Sequence, residues 1–226
     1  MSVLFRDADL IVQYFGPKSQ PPGELAPWVD LFLAWRDRLH HYRAVSKGDI
    51  GWDYLERSQV GFLAAAAWHI GGAAIEEYPI EKKDPADRRR KYDGRADLWL
   101  GFGGRGFALE AKYANTRLDT RGTRATLIQA FDKAGMDSLS CTENVHYTGG
   151  VAFVPLYLPV GTPPRKRAAY LEEHINDAVD DGADSLREQV REMYDYVFRV
   201  DLVAHHTREA DDHEPVGVTL LVGLDG

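Results

Sequence analysis

The stretch Lys91–Tyr113, KYDGRADLWLGFGGRGFALEAKY, decides the fold. Its two short apolar runs, Ala96 to Phe102 and Phe107 to Tyr113, flank Gly103-Gly104, and a Gly-Gly pair between such runs signals the tight turn of a β-hairpin. A turn centred on the two glycines sets Leu98 opposite Leu109, Leu100 opposite Phe107 and Asp97 opposite Glu110. Strand side chains alternate, so Leu98, Leu100, Phe107 and Leu109 share a face suited to a core. Asp97, Glu110 and Lys112 share the other. Directly opposed Cβ atoms lie about 5 Å apart, and two carboxylates that close repel each other unless a cation or a shared proton sits between them. The pattern therefore predicts an acidic pair with one positive neighbour.

Outward from the hairpin, both flanks read as an α/β protein. On the N-terminal side, Ala73 to Lys82 is an expected strand, with Pro79 making it an edge strand or shortening it. Trp52 to Ile70 is an expected helix in which Glu56, Val60, Leu63, Ala67 and Ile70 follow one stripe. Glu56 ends that stripe, and a glutamate facing inward is rare unless it is paired. Between strand and hairpin, Arg88, Arg89, Arg90 and Lys91 form a basic run. Farther out, Trp28 to Val45 predicts a strongly amphipathic helix, Gly16 to Pro27 a proline-rich connector, and Asp7 to Phe15 a short helix. Residues 1–47 are thus expected to form a helical arm without chemistry of its own.

On the C-terminal side, Thr123 to Leu139 predicts a helix through Leu127, Ile128, Phe131 and Ala134. Val151 to Val160 predicts a central strand, with Pro155 and Pro159 opposing full pairing on both sides. Arg165 to about Tyr194 reads as one long helix or two successive helices broken near Gly182, and Tyr196 to His205 with Val216 to Val222 as a hairpin around an acidic loop. The expected organisation is an N-terminal helical arm (1–47), a mixed central sheet flanked by helices (48–160), and a helix plus β-hairpin extending the same domain (161–226).

Composition narrows the partners. A net charge of −8 argues against a generic nucleic-acid coat, although a local basic track remains compatible with it. Cys141 is the only cysteine, which removes an intramolecular disulfide and any zinc site built on cysteine. The first ten residues, MSVLFRDADL, lack the basic region and long apolar run of a signal peptide, and no apolar stretch reaches the ~18 residues of a membrane span. A cytoplasmic location without membrane contact is the expectation. No H-E-x-x-H spacing occurs among the histidines, and His40-His41 and His205-His206 read as surface residues. Gly101 to Gly106, GFGGRG, lacks the G-K-[ST] of a phosphate-binding loop and reads as a turn.

A helix with Glu56, a strand, a strand with Asp97, a strand with Glu110-Ala111-Lys112, a helix and a strand: over about Gly51 to Val160 this chain resembles the PD-(D/E)XK nuclease superfamily, with its restriction-endonuclease-like fold. The resemblance implies that Asp97 and Glu110 bind Mg²⁺, with Mn²⁺ able to substitute. It also implies that Lys112 contacts the attacking water or the scissile phosphate and that Glu56 helps the metal. Gln129 resembles the glutamine that some branches carry on the following helix. Ala96 stands where the family has a proline, which removes one identifying mark but no ligand. The family often works as homodimers.

The chemistry suits the residues. Mg²⁺ takes hard oxygens, commonly one or two carboxylates plus waters and a substrate phosphate oxygen; Asp97 and Glu110 supply the former, and the Ala111 carbonyl between them is a further candidate ligand. Lys112 would place positive charge where the phosphorane develops. Arg88, Arg89, Arg90, Lys91, Arg105, Arg117, Arg121 and Arg124 are candidate phosphate contacts.

Glu-x-Lys alone arises about once by chance in a chain of this size, and Glu81-Lys82-Lys83 is such a decoy, without an opposed Asp. The expected function is Mg²⁺-dependent hydrolysis of phosphodiester bonds, with DNA as the expected substrate. Two alternatives stand beside it. One is a catalytically silent nuclease-like module that binds nucleic acid or a protein partner in a larger assembly. The other is an unrelated α/β protein in which the charges form only a cross-strand ladder worth roughly 0.2–1 kcal/mol per pair.

Overall fold

The structure is a computed structural model that describes residues 2–84, 87, 89–138, 145–177, 190, 193–203 and 213–226. Among them are nine strands: β1 (Ser2–Arg6), β2 (Leu10–Phe15), β3 (Ala73–Lys83), β4 (Lys91–Phe102), β5 (Arg105–Tyr113), β6 (Thr116–Arg117), β7 (Tyr147–Pro159), β8 (Tyr196–Val203) and β9 (His213–Asp225). The four helices are α1 (Trp28–Val45), α2 (Glu56–His69), α3 (Thr123–Ser138) and α4 (Pro164–Asp177). All nine strands join one mixed sheet in the order β1-β2-β8-β9-β7-β5-β4-β3, with the short β6 also on β7. The pairing of β7 with β5 and β6 is parallel, made through the α3 crossover, and the other neighbours are antiparallel.

The helices cover both faces. On one, the α1 stripe Trp28, Leu31, Phe32, Trp35 and Leu39 packs with Val60, Leu63 and Ala67 of α2 against Leu98, Leu100, Phe107, Leu109, Val151 and Phe198. On the other, Leu127 and Phe131 of α3 meet Ala152, Val154 and Leu221. Leu171 of α4 closes over Leu118, Leu156, Leu158 and Val216. Burying both faces is what a sheet with a parallel crossover requires.

The central hairpin has the expected register: Leu98 pairs with Leu109, Trp99 with Ala108 and Leu100 with Phe107. Gly103 (φ 59°) and Gly104 (φ 74°) both adopt the left-handed region that this two-residue turn demands. α1 and the edge position of β3 also agree with expectation. Pro155 of β7 falls in the gap between the β5 and β6 pairings, which end at Phe153 and resume at Leu156.

Three expectations are corrected. Asp7 to Phe15 is no helix: β1 and β2 form a hairpin, and β2 pairs with β8. Every residue of Leu10–Phe15 is buried, and a short run buried on both faces loses the polar alternation that separates strand from helix. The N-terminal segment is accordingly not a purely helical arm, because it supplies two strands of the common sheet. The helix expected over Trp52 to Ile70 begins only at Glu56, after a 3-10 turn at Gly51–Asp53. In the C-terminal segment, β9 lies between β7 and β8, inside the sheet. The expected helix break near Gly182 and His205-His206 lie outside the described residues. Among the described residues, no helix is long and apolar enough to cross a membrane.

Candidate active site

The site forms where β4 leaves β5. Their ladder runs from the Gly-Gly turn to Leu98–Leu109 and stops. One residue farther on, the Asp97 carboxylate takes over the pairing role and accepts a hydrogen bond from the backbone N–H of Ala111 at 2.7 Å. On its other side β4 is also interrupted: the β3 ladder passes from Glu76–Leu98 to Tyr78–Ala96, and Glu77 between them has φ 53°. Asp97 therefore sits where β4 is unpaired toward both neighbours, and its carboxylate rather than its backbone meets β5.

Ala111 is tied on both sides of its peptide. Its N–H goes to Asp97, its carbonyl accepts from Lys112 Nζ at 2.8 Å, and its methyl group lies in the core. Glu110 and Lys112 consequently project from the opposite face. The sequence expectation that Asp97, Glu110 and Lys112 share that face agrees with these contacts, although Asp97 meets the Ala111 backbone rather than forming a ladder pair with Glu110.

Glu56 arrives from the first residue of α2. Buried Gln59 donates from Nε2 to the carbonyls of Gly51 (2.7 Å) and Tyr54 (3.1 Å), stitching the preceding turn to the helix. Tyr157 of β7 donates its hydroxyl to Asp53 in the same turn. So held, the Glu56 carboxylate lies beside the Tyr113 N–H and in the field of Lys112, Asp97 and Asp137.

Two residues not anticipated from sequence complete the cluster. Lys82 of β3 places Nζ 2.6 Å from Glu110 Oε1. Asp137 of α3 places Oδ2 2.8 Å from Lys112 Nζ. The decoy tripeptide thus contributes its lysine, and what marks Lys82 is its alternation with Ile80, which packs with Ala96 and Ala108 beneath the same face. Asp137 is an exposed residue in the last turn of α3, beside buried Ser138.

Electrostatics follow from burial. Burial pushes the Glu110 carboxyl above the ordinary glutamate value, with Asp97 adding to the rise and Lys82 opposing it. Burial likewise raises Glu56, helped by Asp97 and Asp137 and opposed by Lys112 and the Tyr113 N–H. For Lys112, burial works against the charge, but the hydrogen bond to Asp137 and the charges of Asp137, Asp97 and Glu56 outweigh it and hold its pKa above the usual lysine value. Lys112 is therefore a cation at neutral pH.

The donor set fits a hard divalent ion in kind: two carboxylates and one backbone carbonyl suit Mg²⁺, which fills its remaining positions with water and substrate oxygens. Among the described residues, no group of three or more His, Cys, Asp or Glu side chains is arranged to hold a metal. The carboxylates of Glu110 and Asp97 are engaged by Lys82 and the Ala111 N–H respectively.

The other predicted residues lie apart from this cluster. Gln129 is exposed and lines a groove with Arg121, Arg124, Asp132 and Met193; it is Asp137, about two turns farther along α3, that meets Lys112. Arg121 and Arg124 also border a 310 Å³ groove with Tyr170 and His174. Arg124 stands thirteen residues before Asp137 on α3, about 20 Å along the axis. Arg117 is clasped by Asp119 at 3.0 and 2.6 Å, and Arg105 by Glu24 at 2.8 Å. Arg89, Arg90 and Lys91 are exposed at the loop end of the β3–β4 hairpin, where Lys91 Nζ lies 2.5 Å from Glu81; Arg88 lies outside the described residues. No family model, no curated protein and no solved structure matches this chain.

Proposed function

We propose that the chain is a Mg²⁺-dependent nuclease that hydrolyses phosphodiester bonds in DNA. The observation that carries this reading is the junction at Ala111, where the Asp97 carboxylate, the Glu110 carboxylate and the Lys112 ammonium converge on one face beside Glu56. The order α2, β3, β4, β5, α3, β7, with parallel β5 and β7, supports a restriction-endonuclease-like core.

In this reading Asp97, Glu110 and the Ala111 carbonyl would hold the ion, which when bound would supply Lewis-acid polarisation of a phosphoryl oxygen and ease deprotonation of an attacking water. Lys112 remains charged and places its ammonium against the developing negative charge on phosphorus. Asp137 and Ala111 position that ammonium, and Glu56 adds an acceptor that orients water. Arg121 and Arg124 carry phosphates away from the cleft, and a homodimer sets one such site against each strand of a duplex.

A second reading, a silent module that binds nucleic acid or a protein partner, draws support from the Lys82–Glu110 pair and the net charge of −8. Incubating the protein with linear and circular DNA in Mg²⁺, Mn²⁺ or EDTA, beside Lys112→Ala, separates the two. Metal-dependent cleavage that disappears in the variant is the expected result. Cleavage that persists in EDTA or in Lys112→Ala contradicts the mechanism, and DNA retention without cleavage favours the silent module.

A further inference from the structure

Lys82 reaches Glu110 from a strand that is not its neighbour. β4 lies between β3 and β5, so the lysine stem must cross β4, and it crosses at Gly94. A Cβ placed on Gly94 would stand 2.8 Å from Lys82 Cδ and 2.9 Å from its Cγ. The glycine thus opens a channel for the methylene stem, a close approach of the kind that places glycine inside a strand. The Lys82 side chain is only 12 % exposed and that of Glu110 6 %. The ammonium lies 2.6 Å from Glu110 Oε1, so the carboxylate that would serve a divalent cation already carries a paired positive charge.

We propose that Lys82 is a built-in counter-ion of the acidic site, which a divalent cation must displace from Glu110 and which thereby sets the affinity for that cation. The inference rests on the reading of Asp97 and Glu110 as a metal site. Its physical basis is competition. Glu110 is too buried to remain a bare carboxylate without a compensating charge, Lys82 supplies that charge, and the cation and the ammonium contend for the same oxygen. Lys82 is accordingly a positioning residue, and its consequence is opposite to that of an ordinary supporting contact: removing it tightens the cation.

The test is calorimetric titration of Mn²⁺ into the intact wild-type chain, Lys82→Met, Gly94→Ala and Glu110→Gln. Lys82→Met is expected to bind Mn²⁺ about 10-fold more tightly than wild type or better. Gly94→Ala, which leaves the charge but blocks the stem's path, is expected to shift affinity in the same direction by a smaller factor. It serves as the second probe should Lys82→Met fold poorly. In Glu110→Gln the binding is expected to vanish. Equal or weaker Mn²⁺ binding in Lys82→Met and Gly94→Ala, with wild-type binding still abolished by Glu110→Gln, overturns the counter-ion proposal and leaves the metal site standing. Absence of Mn²⁺ binding in every variant overturns both.

Discussion

Glu110, Ala111 and Lys112 offer the cleft a carboxylate, a peptide and an ammonium in three consecutive positions, and each is held by a residue from another element: Lys82, Asp97 and Asp137. Because Lys112 is restrained by both Asp137 and the Ala111 carbonyl, Lys112→Ala is expected to lower cleavage at least ~10²-fold, the scale of losing one preorganised electrostatic group. Mn²⁺ binding should survive, since no proposed ligand is removed. Single-turnover cleavage beside a Mn²⁺ titration checks this, and loss of both would make Lys112 a structural rather than a catalytic residue. A second charged set is deeper. Asp201, fully buried, is engaged by Arg199 at 2.8 Å, by Thr219 at 2.6 Å and by His174 at 3.3 Å. Burial would raise its carboxyl pKa, but the Arg199 charge and the bonds from His174 and Thr219 hold it far below the ordinary range. A depressed folded pKa stabilises the fold above the unfolded value, about 3.9, and that contribution fades as pH falls toward the folded value. Urea midpoints measured from neutral pH downward should therefore decline below about pH 4, with a shallower decline in Asp201→Asn. Arg199→Met, which strands the Asp201 charge, should cost about 3–5 kcal/mol at neutral pH. The Asp97 and Glu-x-Lys positions were legible because alternation along a hairpin is local. Lys82 and Asp137 were not, because each acts through a partner at least 25 residues away on another element.

At the scale of elements, the hairpin from Asp97 to Glu110 is positioned from below by α1. Trp28, fully buried, packs edge-on against Phe102 and Phe107 at 5.2 and 5.1 Å and stacks on Phe198 at 5.9 Å. It thereby joins the turn end of β4–β5 to β8. Trp28→Ala should destabilise the protein by about 3–5 kcal/mol, read as a lower urea midpoint with unchanged slope. A loss below ~1 kcal/mol would mean that the site's platform does not depend on this helix. The elements that could be read from sequence, α1, α3 and the β4–β5 hairpin, carry either a helical stripe or a glycine turn within their own residues. β2 carries neither, since all six of its residues are buried. The start of α2 departs from the sequence expectation because Gly51–Asp53 turns as a 3-10 helix held by Gln59 and Tyr157, which only the folded chain brings together.

Across the whole molecule, the negative net charge makes any contact with DNA depend on a local basic track. Arg121 and Arg124 at the start of α3 lie about 20 Å from the Lys112–Asp137 pair, the span of roughly six phosphates along one strand. Replacing both by alanine in the Lys112→Ala background should weaken duplex binding and reduce the slope of log affinity against log salt by about 0.9 for each phosphate that is no longer neutralised. Fluorescence anisotropy over a salt series reads both quantities, and an unchanged slope would remove these arginines from the track. The sheet itself explains why the flanks were harder to place than the centre. β9 enters between β7 and β8, and β2 pairs with β8, long-range pairings that no local pattern encodes. The central claim, that β4 splays from β5 to make a cation site, is tested most directly by calorimetric titration of Mn²⁺ into the wild type and Asp97→Ala. The account predicts saturable binding to the wild type that disappears in Asp97→Ala, while circular dichroism stays unchanged. Binding of equal affinity in both proteins would contradict it.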